Sequence, residues 1–227
     1  MTLLVLGLGL MAMGCRVETE EAMADAAPAP DTTRRYVEGN VFTSTYLPAI
    51  RIEIDEALVY VGMMDFILKD IAHVERYVFV EADAQQRIER MIVFQFEGFL
   101  DNTDEYYRYR FTDPDTLGGL AFNHNTWYYD DAAQIAQNPG AESERTRAFL
   151  EQKGYTLETE LMMSRFVAVV DEAKRHELIL FYWENARDTG YTLAEIATED
   201  GAIRPEHAAV EEGLIQRSRQ YLTVLEE

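Results

Sequence analysis

The chain has 227 residues, 48% of them hydrophobic and 11% aromatic, enough to bury the core of one ordinary domain, which excludes wholesale disorder. Asp and Glu number 41 against 20 Lys and Arg, a formal charge of −21. That excess argues against a nucleic-acid backbone as partner, because such binding needs positive charge to release counterions, and against electrostatic docking on anionic lipid. A single cysteine, Cys15, excludes an intramolecular disulfide and any site built from several thiolates.

Among the basic residues only Lys69, Lys153 and Lys174 are lysine. An acid-rich, lysine-poor surface stays solvated and self-repelling in salt. It fits a compositional bias or a saline habitat and names no ligand. At the amino terminus, residues 3–13 read LLVLGLGLMAM without a charge. The run is too short for a bilayer span, which needs about 20 residues, and has the length of a signal-peptide apolar region. Ala12, Met13 and Gly14 then lead into Cys15. This segment resembles the lipobox of bacterial lipoproteins, with Ala12 where Leu is usual. The resemblance implies a signal peptide over residues 1–14 and a Cys15 that becomes the first mature residue and carries lipid. It also implies a place in the bacterial cell envelope, with the domain facing the periplasm or exterior. Arg16 stands where an inner-membrane retention aspartate would be, so the resemblance favours the outer membrane. Gly7, Gly9 and Gly14 are not a dinucleotide fingerprint, since no strand precedes them and no helix pattern follows. Residues 15–35, rich in Ala, Pro, Glu and Asp, cannot offset their ordering entropy and read as a flexible acidic tether.

From residue 36 the pattern is mostly strand. Ile50, Ile52 and Ile54 alternate with Arg51, Glu53 and Asp55, a half-buried strand signal. Residues 58–68, 73–82, 88–100 and 106–111 follow as strand candidates, joined by the short polar turns 83–86 and 101–105, which suggests an antiparallel meander. Asp113-Pro114-Asp115 and Gly118-Gly119 mark a loop, and residues 121–129 read as a short strand or ordered loop. Asp130 is placed to cap a helix through Ala136. Residues 141–153 form a second helix, acidic early and basic late as the helix dipole prefers, with Gly154 in C-cap position. Residues 162–170 and 177–183 return to strand, and Leu178–Trp183, apolar on both faces, reads as central. Thr192 and Glu195 match a capping box. Pro205 opens a last helix whose stripe takes in Val210, Leu214, Tyr221 and Leu225. The expected architecture is a single α+β domain over residues 36–227. It has a mainly antiparallel sheet of about six to eight strands, with two to four helices, mostly in the C-terminal half, packed on one face.

Chemistry is sparse. The four histidines, His73, His124, His176 and His207, show no HxH or HExxH spacing, so no metal site and no cofactor are expected. His124 is the most suggestive: Asn123, Asn125, Thr126 and Asp130 are near enough in sequence to orient an imidazole, as a general base requires. A loop histidine bonded to backbone is the plainer reading. Ser44, Ser143, Ser164 and Ser218 stand in no G-x-S-x-G motif. Glu97 shares one face of an apolar strand with Gln95. If that face is covered, Glu97 needs a partner such as Arg108 or Arg110, or else it is the polar base of a pocket. Tyr106, Tyr107, Tyr109, Trp127, Tyr128 and Tyr129 cluster in two segments with arginines between, a composition shared by ligand grips and by ordinary exposed sheet faces. The candidate ligand or polar cluster is therefore Glu97, Tyr107, Arg108, Arg110, His124 and Trp127. The expected function is that of a membrane-anchored envelope lipoprotein, held through lipid on Cys15, whose non-enzymatic domain binds a small molecule or another envelope protein. The alternative is an anchored hydrolase-like enzyme using His124 with a nearby carboxylate.

Overall fold

A computed structural model describes residues 34–110 and 114–225. The expected signal peptide, Cys15 and nearly all of the expected tether lie outside the described residues. The chain runs β1 (Arg35–Glu38), β2 (Val41–Thr45), β3 (Ala49–Ile54), β4 (Val59–Leu68), β5 (Ala72–Ala82), β6 (Ile88–Phe99), β7 (Asp115–Leu117) and β8 (Leu120–Asp130). It continues through α1 (Asp131–Gln137), α2 (Glu142–Gln152), β9 (Glu160–Val169), β10 (His176–Asn185), α3 (Leu193–Ile196), α4 (Ala208–Gln220) and β11 (Leu222–Leu225). Seven strands form a sheet in the order β4-β5-β6-β10-β9-β8-β7, and four form a second in the order β1-β2-β3-β11. Every ladder between these strands is antiparallel. The α+β class and the seven-stranded sheet agree with the reading from sequence.

The two-residue period of a strand decides which side chain meets which layer. On one face of the large sheet, Tyr77, Phe79, Ile92, Phe94, Phe96, Phe122, Tyr128, Phe166, Leu178, Leu180 and Tyr182 pack against Phe42, Ile50, Ile52 and Ile54 of the small sheet, Leu214 of α4 and Ile196 of α3. On the other face, Val78, Val80, Met91, Val93, Val167, Ile179, Phe181 and Trp183 meet Leu150 of α2 and Leu157. The helices, expected on one face, thus divide between both. The reason is that β10 is apolar on both sides and each side needs a cover. As expected, β10 is the central strand.

Two further readings are corrected and one is narrowed to its strand alternative. Residues 106–110 form no strand; Tyr107 donates one backbone hydrogen bond to the Lys174 carbonyl, and the segment otherwise lies across the second face. Residues 121–129 belong to a full strand, β8. The last helix stops at Gln220, and Leu222–Leu225 becomes a strand paired with β3, where Leu222 enters the core instead of extending a helical stripe. Among the described residues no helix is long and apolar enough to cross a membrane.

Candidate functional site

The second face of the large sheet is covered only in part. Beside α2, the side chains of β5, β6, β8, β9 and β10, the start of α1, and Tyr107 and Tyr109 enclose a cavity of about 530 Å³, within the size range of small-molecule sites. Its walls are aromatic: Tyr107, Tyr109, Trp127, Tyr129, Phe181 and Trp183. Phe181 and Trp183 stack at 4.8 Å, Tyr107 and Tyr109 lie nearly parallel at 5.9 Å, and Trp183 Nε1 donates to the Tyr129 hydroxyl at 2.7 Å.

Polar strand residues face this cavity because they alternate with core aromatics. In FQFEGF, Phe94 and Phe96 enter the inter-sheet core while Gln95 and Glu97 line the cavity. Arg76, directly across from Gln95 in the ladder, is only 4% exposed. It donates to Gln95 Oε1 and to Thr146 Oγ1, each at 2.6 Å, and its guanidinium lies 3.1 Å from Glu142 Oε1. Burial holds the Arg76 pKa below its ordinary value, opposed by Glu142 and Glu97. Gln95 passes the chain on, donating to Glu97 Oε2 at 2.8 Å, and the Tyr107 hydroxyl donates to Glu97 Oε1 at 2.9 Å.

Glu177 of β10 is the Cα partner of Glu97 across the β6–β10 ladder. It is 3% exposed, and among the described residues its Oε2 has no hydrogen-bond partner. Burial first, and then the Glu97 charge, push its pKa up to about 8, against a Tyr109 hydrogen bond and the Arg165 charge that favour ionisation. The Glu97 carboxyl is also raised, by burial and then by Glu142. Arg165 lies 5.5 Å over Trp127 and 6.0 Å over Phe181, and its Nε likewise lacks a partner among the described residues. Two buried polar atoms of opposite kind, an acceptor and a donor, therefore border one cavity.

Of the residues expected from sequence, the structure brings together Glu97, Tyr107 and Trp127. It leaves out the other three. Arg108 is exposed, bonded to Glu105 at 3.3 Å and set over the Tyr106 ring; Arg110 is exposed as well. Neither partners Glu97, because segment 106–110 does not pair with β6. His124 lies on the opposite face: being an odd number of residues from Trp127 in one strand, it must point the other way. Its Nε2 is 2.9 Å from Ser164 Oγ, its Nδ1 is 3.6 Å from Asp115, and its ring stacks on Phe166 at 4.2 Å. Burial lowers its pKa, opposed by Asp115. Asp115, His124 and Ser164 have the composition of a hydrolytic triad, but Ser164 is fully buried and donates to Ser218 of α4, which closes it to substrate. Asp65, His73 and Glu75 bring ligand-type atoms within 4.8 Å of one another; His73 is held by Asp65 at 2.8 Å and Glu75 by Arg35 at 2.6 Å, so this is a satisfied ion-pair cluster.

Sequence reasoning missed Arg76, Arg165, Glu177, Phe181 and Trp183. The available signal was parity: a charged residue at the start or middle of an apolar strand marks the face that is not fully packed. The chain matches no protein-family model, no curated protein and no solved structure, so the site is read from its own geometry.

Proposed function

We propose that this chain is an envelope lipoprotein whose domain is a non-enzymatic receptor or carrier for a small ligand, bound in the cavity on the outer face of the large sheet. The observation that carries the reading is a cavity of about 530 Å³ with aromatic walls and, at its edge, an oxygen of the buried Glu177 that has no partner among the described residues. An apolar enclosure with a few convergent polar groups is the usual form of a ligand site, and a buried acceptor without a donor is costly unless a ligand completes it. Anchoring through lipid on Cys15, with the outer membrane favoured, rests on the lipobox resemblance. The test is a native mass spectrum of the full chain isolated from a bacterial envelope, before and after denaturation. Extra mass lost on denaturation supports the reading. An apo mass, together with tryptophan emission indifferent to small-molecule panels, would sink it. For the anchor, Cys15→Ser is expected to move the protein from the membrane fraction to the soluble fraction, and retention in the membrane would refute lipidation there.

A second reading, an anchored enzyme, is favoured by one observation: the half-buried Glu97 and the buried Glu177 face each other across a ladder and Glu177 is raised to about 8, as general acid–base pairs are. The pair would replace His124 in that role. Loss of turnover of the co-purified ligand in both Glu97→Gln and Glu177→Gln would favour it over simple binding.

A further inference from the structure

The charges around the cavity define what the ligand must carry. Six carboxylate and guanidinium side chains line it: Arg76, Glu97, Asp131, Glu142, Arg165 and Glu177. Asp131 is held by Arg147 at 2.6 Å and Arg76 by Glu142 at 3.1 Å. Glu97, Glu177 and Arg165 remain, one negative charge in excess when all are ionised. Glu97 and Glu177 are opposed in the ladder, which sets their Cβ atoms about 5 Å apart, where like charges destabilise. The fold spends Gln95 and Tyr107 on Glu97 and Tyr109 on Glu177, and still leaves Glu177 Oε2 without a donor among the described residues. A protonated amine supplies both missing elements, N–H donors and one positive charge. Tyr107, Tyr109, Trp127, Phe181 and Trp183 offer the ring faces that attract such a cation.

We propose that the cavity binds an organic ammonium ion, a protonated amine on an aromatic or apolar body, with its nitrogen seated between Glu97 and Glu177. This rests on the ligand-binding reading above. The Arg165 Nε, also without a partner among the described residues, would then meet an acceptor on the ligand beside the amine.

The pH dependence follows from the groups around Glu177: Glu97 on β6, Arg165 on β9, Tyr107 and Tyr109 from segment 106–110, Glu142 on α2, and Arg76 on β5 behind Glu97. With its pKa at about 8, Glu177 holds a proton in the empty site at neutral pH. An entering cation favours the ionised form and expels that proton. Affinity for the cation therefore rises with pH, approaching about tenfold per pH unit below 8, and levels above it.

The experiment titrates the full-length chain with three probes of similar size: 2-phenylethylammonium, 2-phenylethanol and phenylacetate. Emission of Trp127 and Trp183, the protein's 2 tryptophans, reports occupancy of the cavity both residues line. Calorimetry in two buffers of different ionisation enthalpy counts protons released. The expected result is preference for the ammonium probe by at least about tenfold at pH 8, with proton release at pH 7. Glu177→Gln should lose that preference and the pH slope; Glu97→Gln, checked for folding by circular dichroism, should weaken ammonium binding in the same direction. If the alcohol or phenylacetate binds as tightly as the ammonium, the cation inference is overturned while a ligand cavity stands. If none of the three changes emission or gives heat, the cation inference falls, and the ligand-binding reading falls with it when the native mass is also apo.

Discussion

Replacing Glu177 by Gln should change how stability depends on pH. The carboxyl's ordinary value is 4.5 and its folded value about 8. Between these limits the folded state holds a proton that the unfolded state has released, so stability falls as pH rises. The stability tied to protonated Glu177 is fully present below pH 4.5 and lost as pH rises through 8. Each pH unit within the window costs about 1.4 kcal/mol, and from pH 5 to pH 8 the loss is on the order of 4 kcal/mol. At 3% exposure solvent reaches Glu177 only from the cavity it lines, so this figure is the upper limit. Glutamine resembles the protonated acid in shape and does not titrate. Wild type and Glu177→Gln should therefore be nearly equal at pH 5, with the variant more stable by several kcal/mol at pH 8.5, about 10 °C in Tm for a domain of this size. Taking the difference between the two proteins cancels nearly all of the self-repulsion of the −21 charge, since the variant differs by one unit. Urea titration of the full-length chains at pH 5, 7 and 8.5 measures it, with equal m values required for the comparison. A difference flat within 1 kcal/mol over this range would show that Glu177 does not lie in a dry site beside Glu97, and the reasoning would fail with it.

Arg76→Met should destabilise by about 3–5 kcal/mol, since it strips partners from Gln95, Thr146 and Glu142; a urea midpoint displaced by less than 1 kcal/mol would show that Arg76 is not integral. Tyr129→Phe should cost about 1–3 kcal/mol by leaving the Trp183 indole N–H unpaired, read from thermal melts, and a neutral result would contradict the 2.7 Å bond. His124→Gln should lower stability by about 1 kcal/mol through the lost Ser164 bond and Phe166 stacking, yet leave the fluorescence titration with 2-phenylethylammonium unchanged; weakened binding would mean that the two faces of the sheet are coupled.

Parity along the strands explains both what was legible in the site and what was misread. Gln95 and Glu97, flanked by Phe94 and Phe96, announce a polar face opposite an aromatic one, and the structure puts a cavity there. The same rule applied to residues 121–129 separates His124 from Trp127, but only once that stretch is known to be a strand and not a loop. Tyr107 was identified from its aromatic neighbourhood, whereas Arg108 and Arg110 alternate with it and so point to solvent. Arg76, Glu177 and Arg165 reach the site from strands far apart in sequence; nothing local links them, and their meeting depends on β6 pairing with β10 and not with the next segment along the chain.

The strands from β3 to β6, the helices α1 and α2, and the central, doubly apolar β10 were determined by sequence alone, because hydrophobic period and turn residues are local properties that survive any packing. Strand order, the small sheet closed by β11, the division of helices between two faces, and the opposition of Glu97 to Glu177 were decided only in three dimensions. Each depends on which of several competent surfaces pairs with which, and that choice is made by burying the whole set of apolar faces at once, a sum over contacts that no single segment encodes.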